Sequence, residues 1–208
     1  MTTVVLILET SVGRCSSLRH ARCAGCSVPG RGADKQDCLA SRVQIEFPDA
    51  LVVHRLDMGT SGLIVFGRGA VMQRQLSRLF RERRVAKRYV AVVEGKPEAT
   101  GEINLPLAAD WPNRPKQKVD ASSGKPSLTR YRLLAHDTAT NTSRLELEPV
   151  TGRTHQLRVH LAAIGHPILG DALYGQGAAE RLLLHACRLS FAHPLSGEVL
   201  ELFCVPPF

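Results

Sequence analysis

Two short segments gather residue types that can do chemistry. The first, HRLDMGTSGL at His54 to Leu63, sets the carboxylate of Asp57 beside Arg55, within a run of small residues that leads into an apolar stretch. Gly59 and Gly62 allow a tight turn with close backbone approach, and Thr60 and Ser61 can bond the backbone of that turn and hold Asp57 in place. A carboxylate so placed is a candidate nucleophile or charge stabiliser. The alternative is a turn-forming aspartate salt-bridged to Arg55.

The second segment, TGRTHQLRVHLAAIGHPILGDALYG at Thr151 to Gly175, crowds Arg153, His155, Arg158 and His160 onto the first turns of a helix. The two histidines stand five apart, not the four that puts two zinc ligands on one helical face. No glutamate lies between them, so a metalloprotease site is excluded. Hydrogen-bonded structural histidines are the alternative to functional ones.

The elements that must position these segments are legible from Leu39 onward. LIVFG at Leu63 to Gly67 and RYVAVVEG at Arg88 to Gly95, β-branched, aromatic-containing runs closed by Gly, read as strands, and LTRYRLLA from Leu128, RLELEPV from Arg144 and the late run EVLELFCV are further candidates. Between the first two, AVMQRQLSRLFRERR repeats Met72, Leu76, Leu79 and Phe80 at the spacing of an amphipathic helix. Its other faces carry Arg74, Arg78, Arg81 and Arg83, and Arg84, Lys87 and Arg88 extend the basic run with only Glu82 against it. That face is either ordinary solvated surface or a phosphate-contacting one. A second helix is expected to start at Thr154 as cap, place Leu157, Leu161 and Ile164 on one face, and end at Gly165. Strands outnumber helices, which predicts an α+β fold with a mixed, mostly antiparallel sheet flanked by helices.

The chain has 208 residues and a formal charge of +8. That length supports one catalytic core with at most a small second lobe. The charge favours a polyanionic partner, nucleic acid ahead of a membrane surface. No run approaches the roughly 18 apolar residues of a membrane span, and no secretory signal is read at the start, so a cytoplasmic protein is expected. Six cysteines are present. Cys15, Cys23, Cys26 and Cys38 fall early, but only Cys23 and Cys26 have a metal-like spacing and no matching second pair follows, so no metal site is assigned.

In combination these segments resemble the RluA-type pseudouridine synthases. HRLDMGTSGL resembles their catalytic motif, RYVAVVEG their second motif, and GRTHQLRVHLAAIGHPILGD their third. ADWPNRPKQKV, SGKPSLTRY and RLLLHACRLSFAHP are similar to the RluA branch itself, which acts on a large-subunit rRNA hairpin and on tRNA anticodon stem-loops. The likeness runs from Ser27 to the C-terminus, giving a catalytic domain at 27–208 around a basic cleft, no S4-type domain, and an atypical segment at 1–26. CSSLRHARCAG stands there in place of the family's Lys-Pro-Ser-Gly-like turn, and Gly59 fills a slot that usually bears a side chain.

The resemblance implies Asp57 as the catalytic aspartate, Arg158 as the arginine that pairs with it, and Tyr89 as the tyrosine of the second motif. Arg55 would fill the distorted RNA loop once a nucleotide has flipped out. His54, Thr60, Arg153 and His155, with Arg78 and Arg81 on the basic helix, complete the expected substrate-binding set. No cofactor or metal is required, and a monomer is expected. A catalytically silent RNA-binding module and a zinc-stabilised nucleic-acid-binding protein are the other readings.

Overall fold

The computed structural model describes residues 27, 38–176 and 179–208, together with the backbone of 5–9. Cys15, Cys23 and Cys26 lie outside the described residues. The chain divides into two compact units, one formed by Met1–Lys87 with Ala186–Phe208 and the other by Arg88–His185.

The first unit is built on β3 (Ser61–Arg68), which pairs antiparallel with β1 (Val5–Glu9) and with β2 (Ala50–Val52). Its apolar run is continuous because both faces are covered. Ile64 and Phe66 pack with Leu39, Ala40 and Val43 of α1 (Leu39–Glu46), whereas Leu63 and Val65 pack with Met72, Leu76 and Leu79 of α2 (Gly69–Arg81). The second cluster also takes in Leu189 and Phe191 of β10 (Leu184–Ala192), which forms an antiparallel pair with β11 (Val199–Phe203).

The second unit orders its main strands β4 (Ala86–Glu94), β9 (Thr142–Pro149), β8 (Leu128–Asp137) and β5 (Thr100–Asn104), each antiparallel to the next. Burial alternates strictly along β9, as expected of a half-buried strand. Leu145 and Leu147 from its inner face pack with Ala91 and Val93 of β4 and with Leu157 and Leu161 of α3 (Gln156–Ala163). A small hairpin of β6 (Leu107–Ala109) and β7 (Gln117–Val119) stands apart from this sheet.

These strands and few helices make the α+β fold that the patterning predicts, with two corrections. Helix α3 starts at Gln156, not after a Thr154 cap, and its N-cap is His155 in the left-handed region at φ 54° with no side-chain cap bond. The Gln156 side chain instead ties the start of the helix to the preceding chain and to β8: its Oε1 accepts from the Arg153 N–H at 3.0 Å and from the Thr151 hydroxyl at 2.7 Å, while its Nε2 donates to the Leu128 carbonyl at 2.9 Å. Nor is α3 apolar on one face only. Gln156 through Leu161 are all buried, Arg158 and His160 included.

Candidate active site and RNA-binding residues

The Asp57 turn joins β2 to β3 and is held at both ends. The Ser27 hydroxyl donates to the Leu56 carbonyl at 3.0 Å and accepts the Leu56 N–H at 3.2 Å, a clamp across 29 residues of chain. Thr60 closes the turn by donating its N–H to the Asp57 carbonyl at 3.0 Å. Leu56 and Thr60 are thereby buried, while Arg55 and Met58 are exposed and Asp57 is half-buried. Gly59 adopts φ 86°, which glycine accepts without strain, so its lack of a side chain suits this turn. Gly62, at φ 110°, lies so close to the Ala186 backbone that a Cβ there would collide with the Ala186 carbonyl.

His54 precedes this turn with its ring stacked on Phe80, centroids 4.2 Å apart, and its Nε2 accepts the Val65 N–H at 3.0 Å. Burial, and to a lesser degree the positive charge of Lys87, push its pKa down to about 3. The imidazole is therefore neutral at physiological pH and ties the turn to β3. Among the described residues the buried Thr60 hydroxyl has no hydrogen-bond partner. No ion pair joins Arg55 to Asp57 among the described residues, so the simple reading of a turn aspartate paired with its neighbour finds no support.

In the second unit the residues before and within α3 form a connected set. Arg158 is buried, and its guanidinium grips Asp171 with two parallel bonds, Nε to Oδ2 at 2.7 Å and Nη2 to Oδ1 at 2.6 Å. Burial alone would raise the Asp171 pKa, but the Arg158 bonds and the Leu173 and Tyr174 N–H groups hold the carboxyl below its ordinary value. Arg158 also lies over the Tyr174 ring at 5.1 Å. The Tyr174 hydroxyl accepts the Gln117 N–H at 2.7 Å and bonds the Nδ1 of His155 at 2.7 Å. His155 thus links α3 to the β6–β7 hairpin.

His160 is fully buried, bonded through Nε2 to the Leu105 carbonyl at 3.0 Å and through Nδ1 to the Thr129 hydroxyl at 2.9 Å. A carbonyl can only accept, so Nε2 carries the proton and Nδ1 accepts from Thr129, the neutral tautomer. Burial lowers the pKa of this imidazole. Tyr89 sits on β4 opposite Leu147, half-buried against the unit's core. Arg153 donates from Nε to the Pro126 carbonyl at 3.3 Å and lines a cleft of about 590 Å³ with Lys118 and Lys125.

On α2 the arginines are not equivalent. Arg78 is paired with Glu82 at 2.6 Å, one turn on, and the carboxylate raises the pKa of the guanidinium. Arg81 is exposed on the same last turn. Among the described residues no group of three His, Cys, Asp or Glu could hold a metal ion, and no helix is long and apolar enough to cross a membrane.

The predicted residues therefore fall into two groups. Arg55, Asp57, Thr60, His54, Arg78 and Arg81 belong to the first unit, whereas Tyr89, Arg153, His155 and Arg158 belong to the second. Sequence reasoning missed Ser27 as the clamp on Leu56, and Asp171 and Tyr174 as the partners of Arg158 and His155. A signal for Asp171 was present: an aspartate directly after the LG turn, followed by residues whose N–H groups it can accept.

A model of the RNA pseudouridylate synthase family matches residues 29–163. The dual-specificity RNA pseudouridine synthase RluA of Escherichia coli (strain K12) is 51% identical over 177 residues, 83% of this chain and 80% of that protein. The protein of the same name from Yersinia pestis is 48% identical over 187 residues, 88% of this chain and 90% of its own. Among solved structures, human RNA pseudouridylate synthase domain containing 1 is 30% identical with a TM-score of 0.72, covering 92% of this chain and 87% of that one. Human RNA pseudouridylate synthase domain containing 4, at 24% identity and a TM-score of 0.73 over 98% of this chain and 85% of that one, shares the fold. The matched stretch carries the Asp57 turn, the Tyr89 strand and the Arg158 helix, and the chain belongs to the RNA pseudouridylate synthase family, isomerases that convert uridine to pseudouridine within RNA.

Proposed function

We propose that this isomerase acts on two kinds of RNA, a hairpin of large-subunit rRNA and the anticodon stem-loop of tRNA, as a cytoplasmic monomer with Asp57 as its catalytic carboxylate. The identity to relatives named for dual specificity on RNA supports two kinds of RNA substrate. The observation that carries the catalytic assignment is the doubly clamped turn. Ser27 and Thr60 fix the backbone on either side of Asp57, which prepays the ordering of a reacting group.

The reaction breaks the N-glycosidic bond, turns the uracil and rejoins it through carbon. Asp57, ionised, attacks the base or the anomeric carbon of the ribose, or stabilises the charge that develops there. The target nucleotide must leave its stack to be reached. Tyr89 offers a ring on which the uracil stacks, and the exposed Arg55 fills the space left in the RNA loop. Arg158 supplies a cation that cannot discharge at working pH. Arg81, with Arg78, contacts phosphates from the end of α2.

The test is to map pseudouridine in rRNA and tRNA from cells that lack the gene, then restore either the wild type or Asp57→Asn. Loss of modification in both RNA classes, regained with the wild type alone, is the expected result. Loss in one class only would overturn the dual specificity, and restoration by Asp57→Asn would overturn the catalytic assignment.

A further inference from the structure

We propose that the cleft beside the β6–β7 hairpin is a second RNA contact, which stacks one unpaired base of the substrate loop on Trp111 and holds adjoining phosphates with Lys118, Lys125 and Arg153. This rests on the reading of the chain as an enzyme of RNA stem-loops and concerns a nucleotide other than the one that reacts.

Trp111, the only tryptophan of the chain, is 68% exposed. An indole in water forgoes a large burial gain, so its position needs a reason. The ring is supported: the Arg114 guanidinium lies 3.5 Å above its centroid. The hairpin end that carries it is closed by the Asp110 N–H on the Lys116 carbonyl at 3.0 Å, the Lys116 N–H on the Asn113 carbonyl at 3.0 Å, and Asn113 Nδ2 on Asp110 at 2.9 Å. Tyr174 anchors the hairpin just beside this end, at Gln117. An aromatic platform is thus presented ready-made, and little freedom is lost when a base stacks on it.

The surrounding charge decides what stacks there. Lys118, Lys125 and Arg153 line the cleft, and Arg114 and Lys116 flank it on the hairpin end. The two acids nearby are already engaged. Asp110 accepts from Asn113, and Asp120 accepts from the Ser122 and Ser123 N–H groups at 3.0 Å and faces Lys118 at 3.4 Å. An exposed aromatic ring set among cations is the pattern that binds unpaired nucleotides, stacking supplying the ring contact and the cations the phosphate contact. At about 590 Å³ the cleft lies within the range, roughly 300 to 1,000 Å³, that encloses a group of nucleotide size.

Because Trp111 is unique, tryptophan emission reports on this cleft alone. The Asp57→Asn protein, titrated with a synthetic anticodon stem-loop, should show emission quenched in step with binding measured by filter retention. Trp111→Ala should weaken binding about tenfold and raise KM with little change in kcat, and Trp111→Phe should recover most of the affinity. Unchanged emission at saturating RNA, or wild-type affinity in Trp111→Ala, overturns the subsite. In that event pseudouridine formed by the wild type in the same stem-loop leaves the function intact, whereas its absence in both RNA classes removes function and subsite together.

Discussion

Arg158 and Asp171 form a two-pronged ion pair in the interior of the second unit, with side chains 6% and 0% exposed. The pair fixes α3 against the turn that follows it, and it aims the guanidinium through packing that no neighbour can supply. Removing one partner of such a pair strands a buried charge, at a cost of about 3 to 5 kcal/mol. Asp171→Asn, which keeps the shape and loses the charge, is expected to lower the unfolding free energy measured by urea denaturation by an amount in that range, seen as a lower midpoint. A midpoint equal to the wild type's would show that the pair does not hold the fold.

Two of the five donors of Arg158 are spent on Asp171. If the cation also serves Asp57 during the reaction, the loss of charge in Arg158→Met should be felt in kcat more than in KM. Turnover per folded molecule should fall steeply while RNA affinity changes little. Arg158→Lys should recover part of the rate, since a point charge cannot reproduce the planar fork. An affinity loss that matches the activity loss would make Arg158 a phosphate contact instead.

Asp57→Asn should abolish pseudouridine formation and leave RNA binding within a few fold, because the amide keeps the size but not the charge or nucleophilicity. Single-turnover assays on a sequence-verified variant, with fluorescence anisotropy for binding, provide the check. Appreciable turnover contradicts the assignment.

Salt dependence should separate the arginines of α2. Each lost phosphate contact removes roughly 0.7 to 0.9 from the slope of log affinity against log salt. Arg78 is already countered by Glu82, so Arg81→Ala should flatten the slope more than Arg78→Ala, and Glu82→Gln should tighten binding. Equal slopes for all three variants would return this face to solvated surface.

The half-buried His54 and the fully buried His160 predict a loss of stability in acid. His54 and His160 have folded-state pKa values below the unfolded 6.5, with His54 at about 3, so the unfolded chain binds protons first as pH falls. Their contribution is complete above about pH 6.5 and declines below it, by roughly 1 to 2 kcal/mol for His54 at pH 5. Urea midpoints measured from pH 7.5 to 4.5 should decline, and more shallowly in His54→Gln, whose amide oxygen can still accept the Val65 N–H. Parallel declines in the two proteins would remove His54 from the account.

Local order was legible because it is written locally. The period of Met72, Leu76 and Leu79 specified α2, the run RLELEPV marked β9, and the small residues around Asp57 marked a turn. The motifs HRLDMGTSGL, RYVAVVEG and GRTHQLRVHLAAIGHPILGD carried the family and hence the chemistry. Less was legible where the signal is weak or shared. Helix α1 is short with only three buried residues, and β10 buries three consecutive residues at its start, a run that reads equally as helix or strand.

The sequence by itself determined the residue types available for reaction and the secondary elements that bear them, since both follow from chemistry and periodicity within a few residues. Only the tertiary structure decided how those residues are held. Ser27 meets Leu56 across 29 positions, Tyr174 meets Gln117 across 57, and Arg158 meets Asp171 across 13. Such partners are selected by the packing of whole strands and helices, which brings distant polar groups into one dry place where each must find the other or remain unsatisfied.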